Sequence, residues 1–224
     1  MPDFTLTIAT PDADSLEAER RLSRAEIRAE IVVGAGLVAA VIGLFLADPQ
    51  ARAGDPLVFA LVAALLALSH GARIDLPFAW TSPVQLALVP ALFLLPAWLV
   101  PLAMVTAVVV ARIPELMRGE TAPARLLLAP GNAWFTVGPA AVLLAAGNPA
   151  PQDAAMVTLV AMLAAQIGSD LVISSIFTLF TRHVTFREQI SESIWVYGID
   201  AALAPVGLMA AIASDASRYR PVCE

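Results

Sequence analysis

Residues 83–111, PVQLALVPALFLLPAWLVPLAMVTAVVVA, carry no charged side chain and are interrupted by prolines at positions 90, 96 and 101. An uncharged stretch of about 18 or more apolar residues is typical of a membrane-spanning helix. A single helix over 83–112 would be about 45 Å long, whereas the hydrocarbon core of a bilayer is about 30 Å thick. We therefore predict two short helices, 83–95 and 97–113, that reverse direction around Leu95-Pro96.

Two further stretches, 31–47 and 126–152, are also uncharged. Apolar runs bounded by Pro, Gly, Asn or charged residues predict the remaining spans, at 29–47, 56–71, 131–147, 153–181 and 193–213. The expected fold is an all-α, polytopic membrane helical bundle of about seven spans, with a proline-broken short hairpin at 83–113. It has a polar N-terminal segment at 1–28, one transmembrane domain at 29–213 and a short polar tail at 214–224.

The composition limits the classes of function. The chain is 59% hydrophobic and 14% charged, whereas soluble domains carry about 25% charged residues. Its net charge is −6, without a basic cluster beyond the N-terminal arginines, which argues against nucleic acid as a partner. The single cysteine, Cys223, excludes a disulfide framework and a cysteine-based metal site within the chain.

The arginines predict an orientation. All 13 basic residues are arginine, and the abundance of Leu, Ala and Val is typical of a GC-rich bacterial genome. With a cytoplasmic N-terminus, every arginine except Arg52, Arg218 and Arg220 falls on the cytoplasmic side, as the positive-inside rule requires. We expect a multi-pass protein of the bacterial inner (plasma) membrane. Treating 83–112 as one span would abolish this bias.

Polar residues inside the spans are the candidate site. Asp170 and Asp200 lie within predicted spans six and seven, which are consecutive and antiparallel. Gln166, Asp170 and Ser174 share one helix face, and Gln85 lies in the third span. Ionisable residues in membrane spans mark functional sites by default, so we predict ligand binding at Gln85, Gln166, Asp170 and Asp200. The alternative is that they form interhelical hydrogen bonds that fix the bundle.

Catalytic and metal-binding motifs are missing from the sequence. It has no Walker A, GxSxG or HExxH motif, and neither His70 nor His183 has a second histidine or a cysteine at ligand spacing. We therefore expect no catalytic residues, no metal, no cofactor and no enzymatic activity.

Small residues at i, i+4 spacing form a stripe on the first span, at Ala35, Ala39, Gly43 and Ala47. Such stripes allow helices to approach closely. The stripe either packs inside the bundle or drives the chain to form a homodimer.

Four segments carry a resemblance to known proteins: SPVQLALVPALFLLPAWLVPL (82–102), RLLLAPGNAWFTVGPA (125–140), AAQIGSDLV (164–172) and FREQISESIWVYGIDAALAPVGLMAA (186–211). They resemble the N-terminal membrane region of actinobacterial signalling proteins, in which this region precedes a cytoplasmic GGDEF diguanylate cyclase or HD-GYP phosphodiesterase domain. The matching positions are Pro83, Gln85, Pro90, Pro96, Pro101, Asn132, Trp134, Pro139, Asp170, Tyr197, Asp200 and Pro205. The chain departs from that pattern after residue 213, since the catalytic domain is not present here.

The resemblance implies a non-catalytic integral membrane sensor or input module. We expect a small ligand to bind in a polar pocket between spans six and seven, and a signalling partner or a homodimer to read the change. The resemblance names no ligand. One alternative is a small-solute binding or transport subunit similar to the substrate-binding components of vitamin importers. Another is a structural assembly protein held together by the small-residue stripe.

Overall fold

The computed structural model describes residues 24–48, 54–72, 74–75, 80–119, 121–181 and 186–218. These residues form seven α-helices: α1 (Arg24–Ala47), α2 (Pro56–Gly71), α3 (Gln85–Leu94), α4 (Leu99–Met117), α5 (Val137–Ala145), α6 (Met156–Thr181) and α7 (Phe186–Arg218). Two 3-10 helices, Pro123–Leu128 and Gly131–Thr136, lead into α5. Strands β1 (Ile74–Asp75) and β2 (Trp80–Thr81) form one short antiparallel pair. The predicted polar segment up to residue 23, His183 and the tail after residue 218 lie outside the described residues.

The fold is a helical bundle suited to a membrane. Among the described residues, five helical segments are long and apolar enough to cross a bilayer: Arg24–Ala47, Leu99–Met117, Pro123–Ala145, Met156–Phe177 and Trp195–Ala216. The helices α2 and α3 are apolar but shorter. Large apolar side chains point outward, among them Leu46, which is 76% exposed. This outward apolar surface matches the lipid environment that the sequence predicts.

The helix predicted at 56–71 has the bounds Pro56–Gly71, and its start is set by local chemistry. The Asp55 carboxylate accepts a hydrogen bond of 2.8 Å from the backbone N–H of Leu57. Pro56 occupies the first turn, where its missing N–H leaves no intrahelical bond unmade.

The predicted division of 83–113 into two helices is confirmed. The break falls at residues 95–98, between α3 and α4. Residues 92–97 line a cavity with Asp48 and Asn148, at one end of the bundle. Arg112 lies beside Glu30 and hydrogen-bonds to the Arg125 carbonyl, at the other end. The chain therefore reverses direction around Pro96.

The two arms of this reversal do not pack closely against each other, as the predicted hairpin implied. The helix α4 packs mainly against α2, whereas α3 packs mainly against α7. A Cβ atom on Gly207 in α7 would lie 2.8 Å from the backbone oxygen of Gln85. Because glycine permits this approach, the short helix α3 finds its main partner in α7.

The span predicted at 131–147 is not one regular α-helix. Its first part is the 3-10 helix Gly131–Thr136, and α5 begins only at Val137. Pro130 and Pro139 lack the N–H groups that a continuous helix would need here. The predicted end at Gly147-Asn148-Pro149 is confirmed, since Gly147 and Asn148 have φ values of 82° and 51°, and the Asn148 N–H bonds to the Leu143 carbonyl at 3.0 Å.

The buried core centres on α4. Its residues Val100, Ala103, Met104, Ala107 and Val108 are fully buried. They form one apolar cluster with residues of α2 and α3 and with the segment that contains α5. The core thus lies on the α2 and α4 side of the bundle.

The small-residue stripe does not pack inside the bundle. Ala35, Ala39, Gly43 and Ala47 are all exposed on α1, and a Cβ atom on Gly43 would meet nothing within 4 Å. The buried face of α1 is formed instead by Ala29, Val33, Leu37 and Leu44. The intramolecular interpretation of the stripe is therefore wrong.

Candidate functional site

A cavity of about 270 Å³ lies between α6 and α7, with α3 and the 3-10 helix Gly131–Thr136 completing its wall. We call it the polar cavity. All four residues predicted to bind a ligand line it: Gln85 from α3, Gln166 and Asp170 from α6, and Asp200 from α7. The helix α6 contributes one continuous stripe, because Ser174 lies one turn beyond Asp170 and also faces the cavity. Whether these residues bind a ligand stays a prediction.

A hydrogen bond between two amides closes one end of the polar cavity. The Nε2 group of Gln85 donates to Oε1 of Gln166 at 2.8 Å, and both side chains are buried. The Oε1 atom of Gln85 is also buried and accepts no hydrogen bond from the described residues. A buried acceptor without a donor costs about 1–3 kcal/mol. Gln85 is thus held in place at its nitrogen while its oxygen is left unsatisfied.

Two carboxylates occupy the middle of the polar cavity. Asp170 accepts a hydrogen bond of 2.8 Å from the Tyr197 hydroxyl. Tyr197 lies three residues before Asp200, so both project from the same side of α7. Asp170 and Asp200 are close enough to interact electrostatically. Burial makes that repulsion stronger than it would be in water.

Aromatic and polar groups complete the polar cavity. Phe135 and Phe177 line it together with Tyr197, and Ser82, Asn132 and His70 lie toward its end. Sequence reasoning did not single out Phe135, Phe177, Ser82 or His70 as ligand-binding residues. A phenylalanine in an apolar span carries no distinguishing signal. Tyr197 was detectable, because it shares a helix face with Asp200.

Close helix contacts fix the walls. A Cβ atom on Gly138 in α5 would clash with the backbone carbonyl of Ala165 in α6, one residue before Gln166. A Cβ atom on Gly207 would clash with α3 near Gln85. Glycine at these two positions therefore lets α5 approach α6 and α7 approach α3. The helices α6 and α7 make little contact with each other, and the cavity occupies the space between them.

A second cavity of about 220 Å³, which we call the apolar cavity, adjoins the polar one. Gln85 and Gln166 line both cavities. Apart from these amides its wall is apolar, with Val89, Leu163 and Pro205 among its members. Met156 lines it at the start of α6, whereas Phe177, near the other end of α6, lines the polar cavity. The two cavities thus follow each other along the bundle, with the amide pair between them.

Glu30 is a buried charge that sequence reasoning missed. It is 4% exposed, and its Oε2 atom has no hydrogen-bond partner among the described residues. Arg112 interacts with it electrostatically. Its Oε1 atom would lie 3.3 Å from a Cβ atom on Gly131, a residue that lines the polar cavity. Glu30 therefore supports the wall of the cavity from behind. Its place one residue before an uncharged run was the available signal.

The described residues contain no group of three or more His, Cys, Asp or Glu side chains that could hold a metal ion. The carboxylates of the polar cavity have an aromatic hydroxyl and amides as neighbours rather than further metal ligands. Chemically, the cavity offers hydrogen-bond acceptors and negative charge.

Comparison with known proteins gives no further identification: no protein family, no curated protein and no solved structure matches this chain.

Proposed function

We propose that this chain is a non-catalytic membrane sensor module that binds a small ligand in the polar cavity. One observation carries the proposal: Gln85, Gln166, Asp170 and Asp200, from three helices, converge on one cavity within an otherwise apolar bundle. Polar groups are costly inside a membrane, so their convergence favours a binding role. Five positions that carry the resemblance to signalling proteins line the same cavity: Gln85, Asn132, Asp170, Tyr197 and Asp200.

The packing of α7 supplies a route for the signal. The helix α7 packs against α3 and makes little contact with α6. A ligand that contacts both Asp170 and Asp200 would bridge α6 and α7 and favour their closer approach. A ligand shifts such an equilibrium by its difference in affinity for the two packings. A signalling partner or a second copy of the chain would then read the position of α7.

The proposal is tested by a thermal-unfolding screen of the full chain in lipid nanodiscs, with anionic, neutral and cationic small molecules. We expect at least one compound to raise the melting temperature of the wild type but not of Asp170→Asn/Asp200→Asn. Asp153→Asn is the matched control, because Asp153 is exposed and lies outside the cavity. If every stabilising compound acts equally on all three proteins, the cavity is not the binding site and the proposal fails.

A transport function is the second candidate, and the adjoining cavities favour it. The polar and apolar cavities meet at the Gln85–Gln166 hydrogen bond, so opening this bond would join them. A compound found in the screen would then cross the membrane of proteoliposomes that contain the wild type faster than those with Asp170→Asn/Asp200→Asn. Binding without such a flux favours the sensor.

We further propose seven crossings of the bacterial plasma membrane, with the N-terminus in the cytoplasm. The distribution of arginines supports this orientation. The test introduces single cysteines by Asp153→Cys or Arg118→Cys in a Cys223→Ser background. A membrane-impermeant maleimide should label Cys at position 153 in intact cells and Cys at position 118 only after lysis. The reverse pattern would overturn the orientation.

A further inference from the structure

We propose that the ligand of the polar cavity is a small organic cation that carries N–H groups, such as a primary ammonium. This inference rests on the proposed function, since it assigns a chemical class to the ligand of that site. Three features of the cavity carry it: its charge, an unsatisfied acceptor and its aromatic lining.

The first feature is the charge of the cavity. Asp170 and Asp200 approach it from different helices and interact electrostatically. The described lining residues contain no arginine, and the chain contains no lysine; His70 is their one basic side chain. Two carboxylates in a medium of low dielectric repel each other and attract a cation more strongly than they would in water. An anionic ligand would meet the same groups as repulsion.

The second feature does not depend on the carboxylates. Gln85 is 2% exposed and lines the cavity, and its Oε1 atom has no donor among the described residues. The Nε2 group of the same amide is already committed to Gln166. Gln85 therefore offers a ligand an acceptor. A primary ammonium can donate to this carbonyl and to a carboxylate at once, whereas a quaternary ammonium has no hydrogen to donate.

The third feature is the set of rings around the carboxylates. Phe135, Phe177 and Tyr197 line the cavity, and the faces of aromatic rings attract cations. The volume, about 270 Å³, lies just below the range of about 300–1,000 Å³ that is common for drug-sized ligands. The cavity therefore suits a small ammonium compound.

The experiment uses the full chain in nanodiscs of zwitterionic lipid and isothermal titration calorimetry at neutral pH. Four probes share one ring and differ in charge or in N–H groups: benzylamine, benzyl alcohol, benzoate and benzyltrimethylammonium. We expect benzylamine to bind at least tenfold more tightly than the alcohol or benzoate, and several-fold more tightly than benzyltrimethylammonium. Asp200→Asn should weaken benzylamine at least tenfold, and Asp153→Asn should leave its affinity unchanged.

The Gln85→Leu variant tests the acceptor. It should weaken the binding of benzylamine several-fold and leave benzyltrimethylammonium unaffected, because the latter makes no hydrogen bond. Asp170→Asn keeps an oxygen that can accept from Tyr197, so it separates the loss of charge from a loss of fold. Circular dichroism of each variant checks that its helices are intact.

Two kinds of result would overturn the inference. Tighter binding of benzoate or benzyl alcohol, lost in Asp170→Asn/Asp200→Asn, would reject the cation and leave the cavity as a ligand site. If benzylamine does not bind to folded protein, or binds equally to wild type and Asp200→Asn, the cation is also rejected. The proposed function itself fails only when no compound of any charge depends on the two aspartates.

Discussion

On one side of the bundle, α2 and α4 pack face to face, and 39% of the apolar window of α4 is buried. On the other side, the corresponding fractions are 17% for α6 and 11% for α7, and the two cavities lie between these helices. All these helices are apolar enough to cross a membrane, α2 excepted for its length. Hydrophobicity alone therefore does not decide which helices pack together.

The difference follows from the physics of membrane helices. Lipid chains are as apolar as leucine, so an apolar face needs no protein partner, and helices associate through close packing and hydrogen bonds. The α4 side has the tightly interlocked core. The α6 and α7 side has local attachments, at Gly138 and at Gly207, and a hydrogen bond from Tyr197 to Asp170. We infer that the first side is a scaffold and the second is the side on which a ligand can change helix packing.

The largest expected effect tests this contrast directly. Leu66 in α2 is fully buried, whereas Leu163 in α6 is partly buried and lines the apolar cavity. Leu66→Ala leaves a new void in the core and should lower the free energy of unfolding by about 2–5 kcal/mol. Leu163→Ala enlarges a space that already exists and should cost less than half as much. Unfolding in mixed detergent micelles measures both, and equal losses would show that the two sides are packed alike.

The next effect concerns the attachment of α7 to α3. A Cβ atom at position 207 would lie 2.8 Å from the Gln85 oxygen and 2.9 Å from the Val89 Cβ. Gly207→Val should therefore cost about 1–3 kcal/mol, as overpacking does. Gly198→Val is the matched control, because it lies in the same helix and a Cβ atom there meets nothing within 4 Å. If both variants lose the same stability in the same micelle assay, the contact between α3 and α7 does not hold α7.

The sequence predicted the features that depend on local pattern. The bounds of α2 follow from Asp55-Pro56 at its start and Gly71 at its end, and the break near Pro96 follows from the length of the uncharged run. The four cavity residues were predictable because polar side chains in an apolar span are rare and must find polar surroundings.

Features that depend on packing between distant segments were not predictable. Nothing in Ala35, Ala39 or Gly43 indicates that this stripe faces outward, because the same spacing suits a buried face and a dimer. The partner of α3 is another example. It is set by Gly207, which lies more than a hundred residues away along the chain and resembles any other glycine of a membrane helix. Phe135 and Phe177 reach the cavity for the same reason, through the placement of their helices.

The smallest effect concerns the hydrogen bond that separates the two cavities. Gln85→Leu and Gln166→Leu each leave one buried amide group without its partner, and each should cost about 1 kcal/mol. The double variant removes both amides, so its loss should be smaller than the sum, with a coupling of about 0.6 kcal/mol, the average for hydrogen bonds between membrane helices. Ser214→Ala, which alters an exposed hydroxyl near the end of α7, provides the control partner for Gln85→Leu and should give additive losses. Additive losses for the two glutamines as well would mean that the amides do not hold each other, and that the boundary between the polar and apolar cavities rests on helix packing alone.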